Sequence, residues 1–226
     1  MFRKFLLLLK LSILFILLPL KAQTIHEDET WLGVITSIGI NEKWGIWNDF
    51  HVVPNLFFIH RHGLNYQVNP NLRISGGYAH LYSKTSASTN FDRNEHRPWW
   101  QAQLNKPLNG GYSLNFRFRH DFRFREVVSA GLATEDWFFT HRFRFQVNLR
   151  KRLDSFLGSQ NFHLNVRNEY HYNISRDIPN GMDQNRSAIL LGHSKGKRTI
   201  LSGYMLRAFD RPQLNHALVF WVVQGF

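Results

Sequence analysis

The most constraining stretch of this chain is LNFRFRHDFRFR, residues 114–125. Leu114, Phe116, Phe118, Phe122 and Phe124 occupy alternate positions, with His120 the one interruption. Asn115, Arg117, Arg119, Asp121, Arg123 and Arg125 fill the positions between them. Side chains on a β-strand point alternately to opposite faces, so this segment has one apolar and one charged face. A helix would spread the same arginines around its whole circumference. The pattern recurs at 139–150, FTHRFRFQVNLR, where Phe139, Phe143, Phe145, Val147 and Leu149 oppose Thr140, Arg142, Arg144, Gln146, Asn148 and Arg150. It recurs again at 162–174, FHLNVRNEYHYNI, with Phe162, Leu164, Val166, Tyr170 and Tyr172 opposing His163, Asn165, Arg167, Glu169, His171 and Asn173.

Further strand candidates are 31–40, 44–53, 56–68, 72–82, 96–105, 185–194, 199–209 and 214–226. Their lengths suit tilted membrane-spanning strands, which need about 9–11 residues, better than the five or six typical of soluble sheets. Short polar connections at 69–71, 106–111 and 195–197 alternate with longer ones at 83–95, 125–137 and 174–184, while the 151–160 turn is long for this scheme. Short turns at one rim and longer loops at the other characterise outer-membrane barrels. A soluble β-sandwich or lipocalin-like barrel would show the same alternation with its apolar face inward. The Phe-rich apolar face, with aromatics near strand ends, favours a lipid-facing band. So does the closing strand LNHALVFWVVQGF, which finishes on Phe226. A terminal Phe is the usual end of such barrels and is read there by the outer-membrane assembly machinery. The expected fold is therefore all-β, an antiparallel transmembrane β-barrel of about 10–12 strands.

The N-terminus indicates the compartment. Arg3 and Lys4 precede the run LLLLKLSILFILLPL, and Lys21-Ala22 mark a cleavage point before Gln23, the plan of a secretory signal peptide. The expected organisation is a signal peptide at 1–22, an N-terminal segment at 23–29 and a barrel at 30–226. The formal net charge is +12, and removing four cations with the leader leaves +8 on the exported chain. An exported protein does not meet the genome, so no nucleic-acid partner is expected. Outer-membrane lipids and lipopolysaccharide are the expected surroundings. With no Cys in the chain, a disulfide framework, a thiolate metal site and a Cys nucleophile are excluded.

The runs NLRISGGYAHLY, EHRPWWQAQLN, the arginine-aromatic strands, DQNRSAILLG and LSGYMLR together resemble the domain of unknown function 2490 family, over residues 30–226. That resemblance implies an outer-membrane barrel of a Gram-negative bacterium and assigns no catalytic residues or cofactor. One tension remains within this reading. Eleven strand candidates are present, whereas single-chain bacterial barrels have even numbers. Either one segment within 31–68 is not a full strand, or the N-terminal stretch crosses the lumen.

Several constellations carry possible chemistry. Gly192-His193-Ser194-Lys195-Gly196 matches G-x-S-x-G, with Asp210 and His216 following in hydrolase order. That motif requires a strand, a sharp turn and a helix, but another strand follows here, so a hairpin turn is expected. Ser75 and Ser202 have no His two residues away. A lipid hydrolase, of phospholipase or lipid A deacylase type, is the alternative to a non-catalytic barrel. His60 with His62, and His163 with His171, share faces but lack the three or four converging ligands that a metal needs. No cofactor is expected.

The arginine face is the principal candidate site: Arg117, Arg119, Asp121, Arg123, Arg142, Arg144, Arg167, Glu169 and Arg186, with Arg125 and Arg150 of like parity. An Arg on the lipid face costs about 2–4 kcal/mol at the midplane, so these residues are expected inside. They predict either a packed polar network that fills a narrow barrel or an anion-permeable lumen, since rings of Arg favour anions. Few acids accompany them, so Glu169 is expected to be held by more than one guanidinium, with Arg167, Arg142 and Arg144 as neighbours.

Overall fold

Eleven strands close into one barrel in a computed structural model that describes residues 25–176 and 178–226. The expected signal peptide, 1–22, lies outside the described residues. In chain order the strands are β1 (Ile25–Gly39), β2 (Trp44–Val53), β3 (Phe57–Asn69), β4 (Leu72–Ser83), β5 (Arg93–Pro107), β6 (Tyr112–Ser129), β7 (Leu132–Leu153), β8 (Phe162–Ile174), β9 (Gly181–Lys195), β10 (Arg198–Phe209) and β11 (Gln213–Gly225). Each of the eleven sequence candidates is a strand, and β1 begins at Ile25, before the expected barrel start at residue 30.

The expected conflict over strand number is resolved by the closure. Consecutive strands pair antiparallel, and β1 pairs with β11 in parallel, from Ile25↔Gln213 to Ser37↔Gly225. Hairpin connections reverse the chain at every step, so in an odd-numbered ring the first and last strands run the same way. No segment within 31–68 is lost from the barrel and none crosses its interior, which corrects both expected explanations. The closure also places the start of β1 at the rim opposite Phe226.

Following cross-strand partners once around the ring returns to β1 about 14 residues from the start, which tilts eleven strands by about 44° at a Cα radius of about 11 Å. An even stagger returns inward residues to inward positions, so one face of every strand faces the interior. Phe116 and Phe145 are exposed on the outer surface, together with Leu32, Val34, Leu64, Ile189, Leu218 and Phe220. Phe118, Phe143 and Leu164 share that outward parity.

The connection expected at 125–137 is a correction of another kind. It is no loop, because β6 and β7 continue through it as a ribbon to a two-residue turn at Ala130-Gly131. Both residues have positive φ, 50° and 78°, as the type I′ hairpin turn requires. At the other rim Gly196, at φ 59°, makes the tight turn between β9 and β10.

The interior has two sectors. Trp31, Val53, Ala188, Leu190, Leu201, Met205, Ala217, Val219 and Trp221 form a buried apolar cluster on β1, β2 and β9–β11. Ile59, Ala79, Leu81 and Trp99 form a second on β3–β5, and Phe57 packs against both. Most of the buried Arg, Asp and Glu side chains lie on β5–β8, with Glu29, Asp49 and Arg207 adding others from β1, β2 and β10.

Gly33 shows how closely this interior is packed at the seam. A Cβ there would lie 2.4 Å from His51 Nδ1 and 2.8 Å from Trp221 Cδ1, and both rings are buried. Gly33→Val is therefore expected to destabilise the barrel by about 1–3 kcal/mol, the usual cost of overpacking. Gly39→Val, with nothing within 4 Å, serves as the comparison. Thermal unfolding in detergent, followed by heat-modifiable gel migration, checks this. Equal melting of the two variants would contradict the close packing.

Candidate functional site

All nine residues of the expected polar network share the inward parity of their strands, and most of them line a single cavity of about 430 Å³. Residues of all eleven strands contribute to its wall, from Trp31 on β1 to Trp221 on β11, which places it inside the barrel. Asp121 lies just behind that wall, fully buried at 0% exposure. The ion pairs join residues of one strand or of strands one or two apart, while the guanidinium groups of Arg167 and Arg186 reach three strands, to Trp221 and Trp31.

Among the described residues, six interior carboxylates hold eight guanidinium groups. Glu95 is bound by Arg97 at 2.5 Å and by Arg123. Asp121 takes Arg119 at 2.6 Å, with Arg144 at 3.7 Å. Asp183 takes Arg142 at 2.5 Å, and Glu29 takes Arg207 at 2.5 Å. Asp49 pairs with Arg61 and lies 2.6 Å from His51 Nε2. Glu169 joins three elements: Arg144 donates to it from β7 through Nε and Nη2, both at 3.0 Å. Arg117 on β6 donates at 2.6 Å, and His171 Nε2 lies 3.0 Å from Oε2.

The partners of Glu169 differ in part from expectation. Arg144 is a neighbour as expected, but Arg142 is taken by Asp183, and Arg117 arrives from two strands away. Among the described residues Arg167 has no ion-pair partner. Its guanidinium lies over the Trp221 ring at 5.3 Å, and its buried Nε has no hydrogen-bond partner. Arg186 lies over Trp31 at 5.0 Å and donates through Nε to Gln184 Oε1 at 2.9 Å. Neighbouring residues on one strand are not automatically partners, because cross-strand register decides which charges face each other.

Sequence reasoning missed several members of this interior. Glu29, Asp49, Arg61, Arg97 and Arg207 all belong to it. Their strands carry apolar residues on both faces: in β2, Trp47 and Val53 point in while Ile46 and Phe50 point out. The alternation is blurred there, and only the register with β1 and β3 identifies the inner face.

The other constellations separate in space. Ser194 Oγ hydrogen-bonds Thr199 Oγ1 at 2.9 Å in the β9–β10 hairpin. His216 lies at the far end of β11, against Tyr204 and against His26 at 3.1 Å. Ser75 Oγ bonds Asn65 Oδ1 at 2.7 Å. His60 and His62 contact each other at 3.1 Å on the outer face. His163 and His171 both point inward but stand eight residues apart on β8, about 26 Å of strand. Among the described residues no group of three or more His, Asp or Glu could hold a metal ion.

Fold and interior together define a closed all-β barrel with charged residues packed inside it. The chain belongs to the family described as "Protein of unknown function (DUF2490)", which matches residues 28–216. No curated protein and no solved structure matches the chain.

Glu169 gives a direct test of how dry this interior is. Glu169→Ala leaves Arg144 and Arg117 without their shared carboxylate. In a dry interior this costs about 3–5 kcal/mol, because an uncompensated charge stays buried. In a water-filled one it costs about 1 kcal/mol or less. Glu169→Ala is expected to lower the melting temperature in detergent, with added salt partly restoring it. A variant that melts like the parent while conducting more anion would show an open, wet interior.

Proposed function

We propose that this protein is an outer-membrane β-barrel, exported through a cleaved signal peptide, whose packed interior makes it a narrow structural element with at most a small anion leak. The observation that carries this reading is the excess of guanidinium over carboxylate inside the barrel. Among the described residues eight Arg share six carboxylates, while Arg93, Arg125, Arg167 and Arg186 line the same cavity without an ion pair. A cation crossing such an interior meets repulsion, and an anion meets donors.

The outer surface supports the membrane setting. Large apolar side chains are exposed on every one of the eleven strands, forming a continuous band of the kind that soluble monomers rarely show. Trp44 packs on Tyr66 near one rim, and Trp137 lies by His96 near the other, as interfacial aromatics do. Outer-membrane lipids and lipopolysaccharide would surround this band, and the assembly machinery would engage the barrel during insertion. The role is non-catalytic in this reading. The lipid-hydrolase alternative would need a Ser and a His in hydrogen-bond contact, and Ser194 and His216 lie toward opposite ends of the barrel.

The test is conductance in planar bilayers with the purified, folded barrel. Small or unmeasurable currents, anion-selective where present, are expected. A large, stable or cation-selective conductance would overturn the reading. Release of acyl chains from phospholipid or lipid A that disappears on changing one Ser or His would replace it with the enzyme.

A further inference from the structure

Among the described residues, four arginines line the interior cavity without a carboxylate partner: Arg93 and Arg125 toward one rim, and Arg167 and Arg186 on β8 and β9. Arg167 on β8 has no hydrogen bond, and its Nε is buried. Arg186 on β9 uses only its Nε, on Gln184. Nearby, Arg117 Nε and Arg119 Nη2 are also buried without partners, and the Arg119 side chain is only 1% exposed. Like charges gathered in a confined interior repel one another. The hydrogens on the buried Arg167 Nε, Arg117 Nε and Arg119 Nη2, withdrawn from water, have no acceptor among the described residues to replace it.

The space beside them suits a ligand. Arg167 faces Ala188 across the β8–β9 ladder, and this small side chain leaves room where a longer one would fill the cavity. Ala188, Met205, Trp31 and Trp221 supply apolar wall, and the two Trp rings lie beneath the guanidinium groups of Arg186 and Arg167. A cavity of about 430 Å³ falls within the range of small-molecule sites, which is roughly 300–1,000 Å³. Guanidinium forks match the oxygens of a tetrahedral phosphate, giving paired N–H···O bonds that a spherical halide cannot reproduce.

We propose that the barrel interior holds a phosphate group between Arg167 and Arg186, with any attached organic part lying against Trp31, Trp221 and Met205. This rests on the cation excess described above but goes further, naming the ligand chemistry and its two principal residues. The phosphate comes either from free phosphate or from a phospholipid headgroup.

The sign of the mutational effect separates this site from mere packing. An unpaired cation in a confined interior destabilises the empty barrel, so Arg167→Gln and Arg186→Gln should melt at or above the parent in potassium chloride. A ligand that binds only the folded state raises the melting temperature by mass action, so the parent should overtake both variants when a ligand is present. The experiment compares the full mature barrel in detergent in chloride, in inorganic phosphate at matched ionic strength, and with a short-chain phosphatidic acid. Phosphate affinity should fall at least tenfold in each variant, while Arg152→Gln, which loses only an exposed pair with Asp154, should behave as the parent. A shift with inorganic phosphate assigns the free ion, and a shift with phosphatidic acid alone assigns the headgroup. Broadening of the phosphorus NMR signal by the parent provides a measurement that does not depend on variants folding. A parent that retains heat-modifiable migration yet shows neither shift nor broadening overturns the site while leaving the barrel reading intact. An equal shift in parent and Gln variants overturns it too, by placing the anion elsewhere.

Discussion

The interior of this barrel depends on carboxylates shared between guanidinium groups. Bringing an ion out of water costs several kcal/mol even after relaxation, and the cost is recovered only where geometry and hydrogen bonding are good. Here each carboxylate is used heavily. Glu95 takes two fork-like arginines, from β5 and β6. Glu169 takes Arg144 and Arg117 from two further strands. These contacts bridge β5 through β8, so the charged network also fixes the relative register of the strands that supply it. A one-residue slip would turn the carboxylate outward and leave its arginines facing one another.

The apolar sector strengthens that network. Trp31, Trp99 and Trp221 serve as stacking surfaces for Arg186, Arg119 and Arg167, at 5.0, 4.4 and 5.3 Å. Together with Leu190, Val219 and Val53, each at 0% exposure, they keep water from one side of the interior. Charge pairs beside such a wall feel a lower dielectric than pairs in an aqueous channel, so both attraction and mismatch are amplified.

How much of this was legible in the sequence depended on how cleanly a strand separates its two faces. In β6, β7 and β8 one face is almost purely Phe, Leu, Val and Tyr while the other is polar, so the fold and the inward residues could be read directly. In β1, β2, β10 and β11 both faces are apolar, one toward the outside and one toward the interior cluster; Val219 and Trp221 point inward while Leu218 and Phe220 point outward. Alternation carries no information there, and the half of the site made by Glu29, Asp49 and Arg207 stayed hidden. The ring closure was illegible for a different reason. Eleven candidates were visible, but only the ladder between β1 and β11 reveals that an odd ring closes in parallel. The 125–137 segment misled because its charged residues, Glu126, Glu135 and Asp136, resemble a solvated loop. They lie instead on a hairpin whose tight turn needs only Ala130 and Gly131.

Strand number links these observations. At eleven strands the interior is wide enough for Arg side chains to extend inward and curved enough for them to reach acids two strands away. Asp183 on β9 thus takes Arg142 from β7, and Glu29 on β1 takes Arg207 from β10. A wider ring would leave those charges in water, where each pair is worth about 1 kcal/mol or less. A narrower ring would have no room for the guanidinium groups at all. The inward side chains thus occupy part of the space that larger barrels fill with inserted loops or helices, leaving a cavity of about 430 Å³. The inward side chains come from strands joined by connections as short as 54–56, 70–71 and 196–197, so the interior is built by the strands themselves.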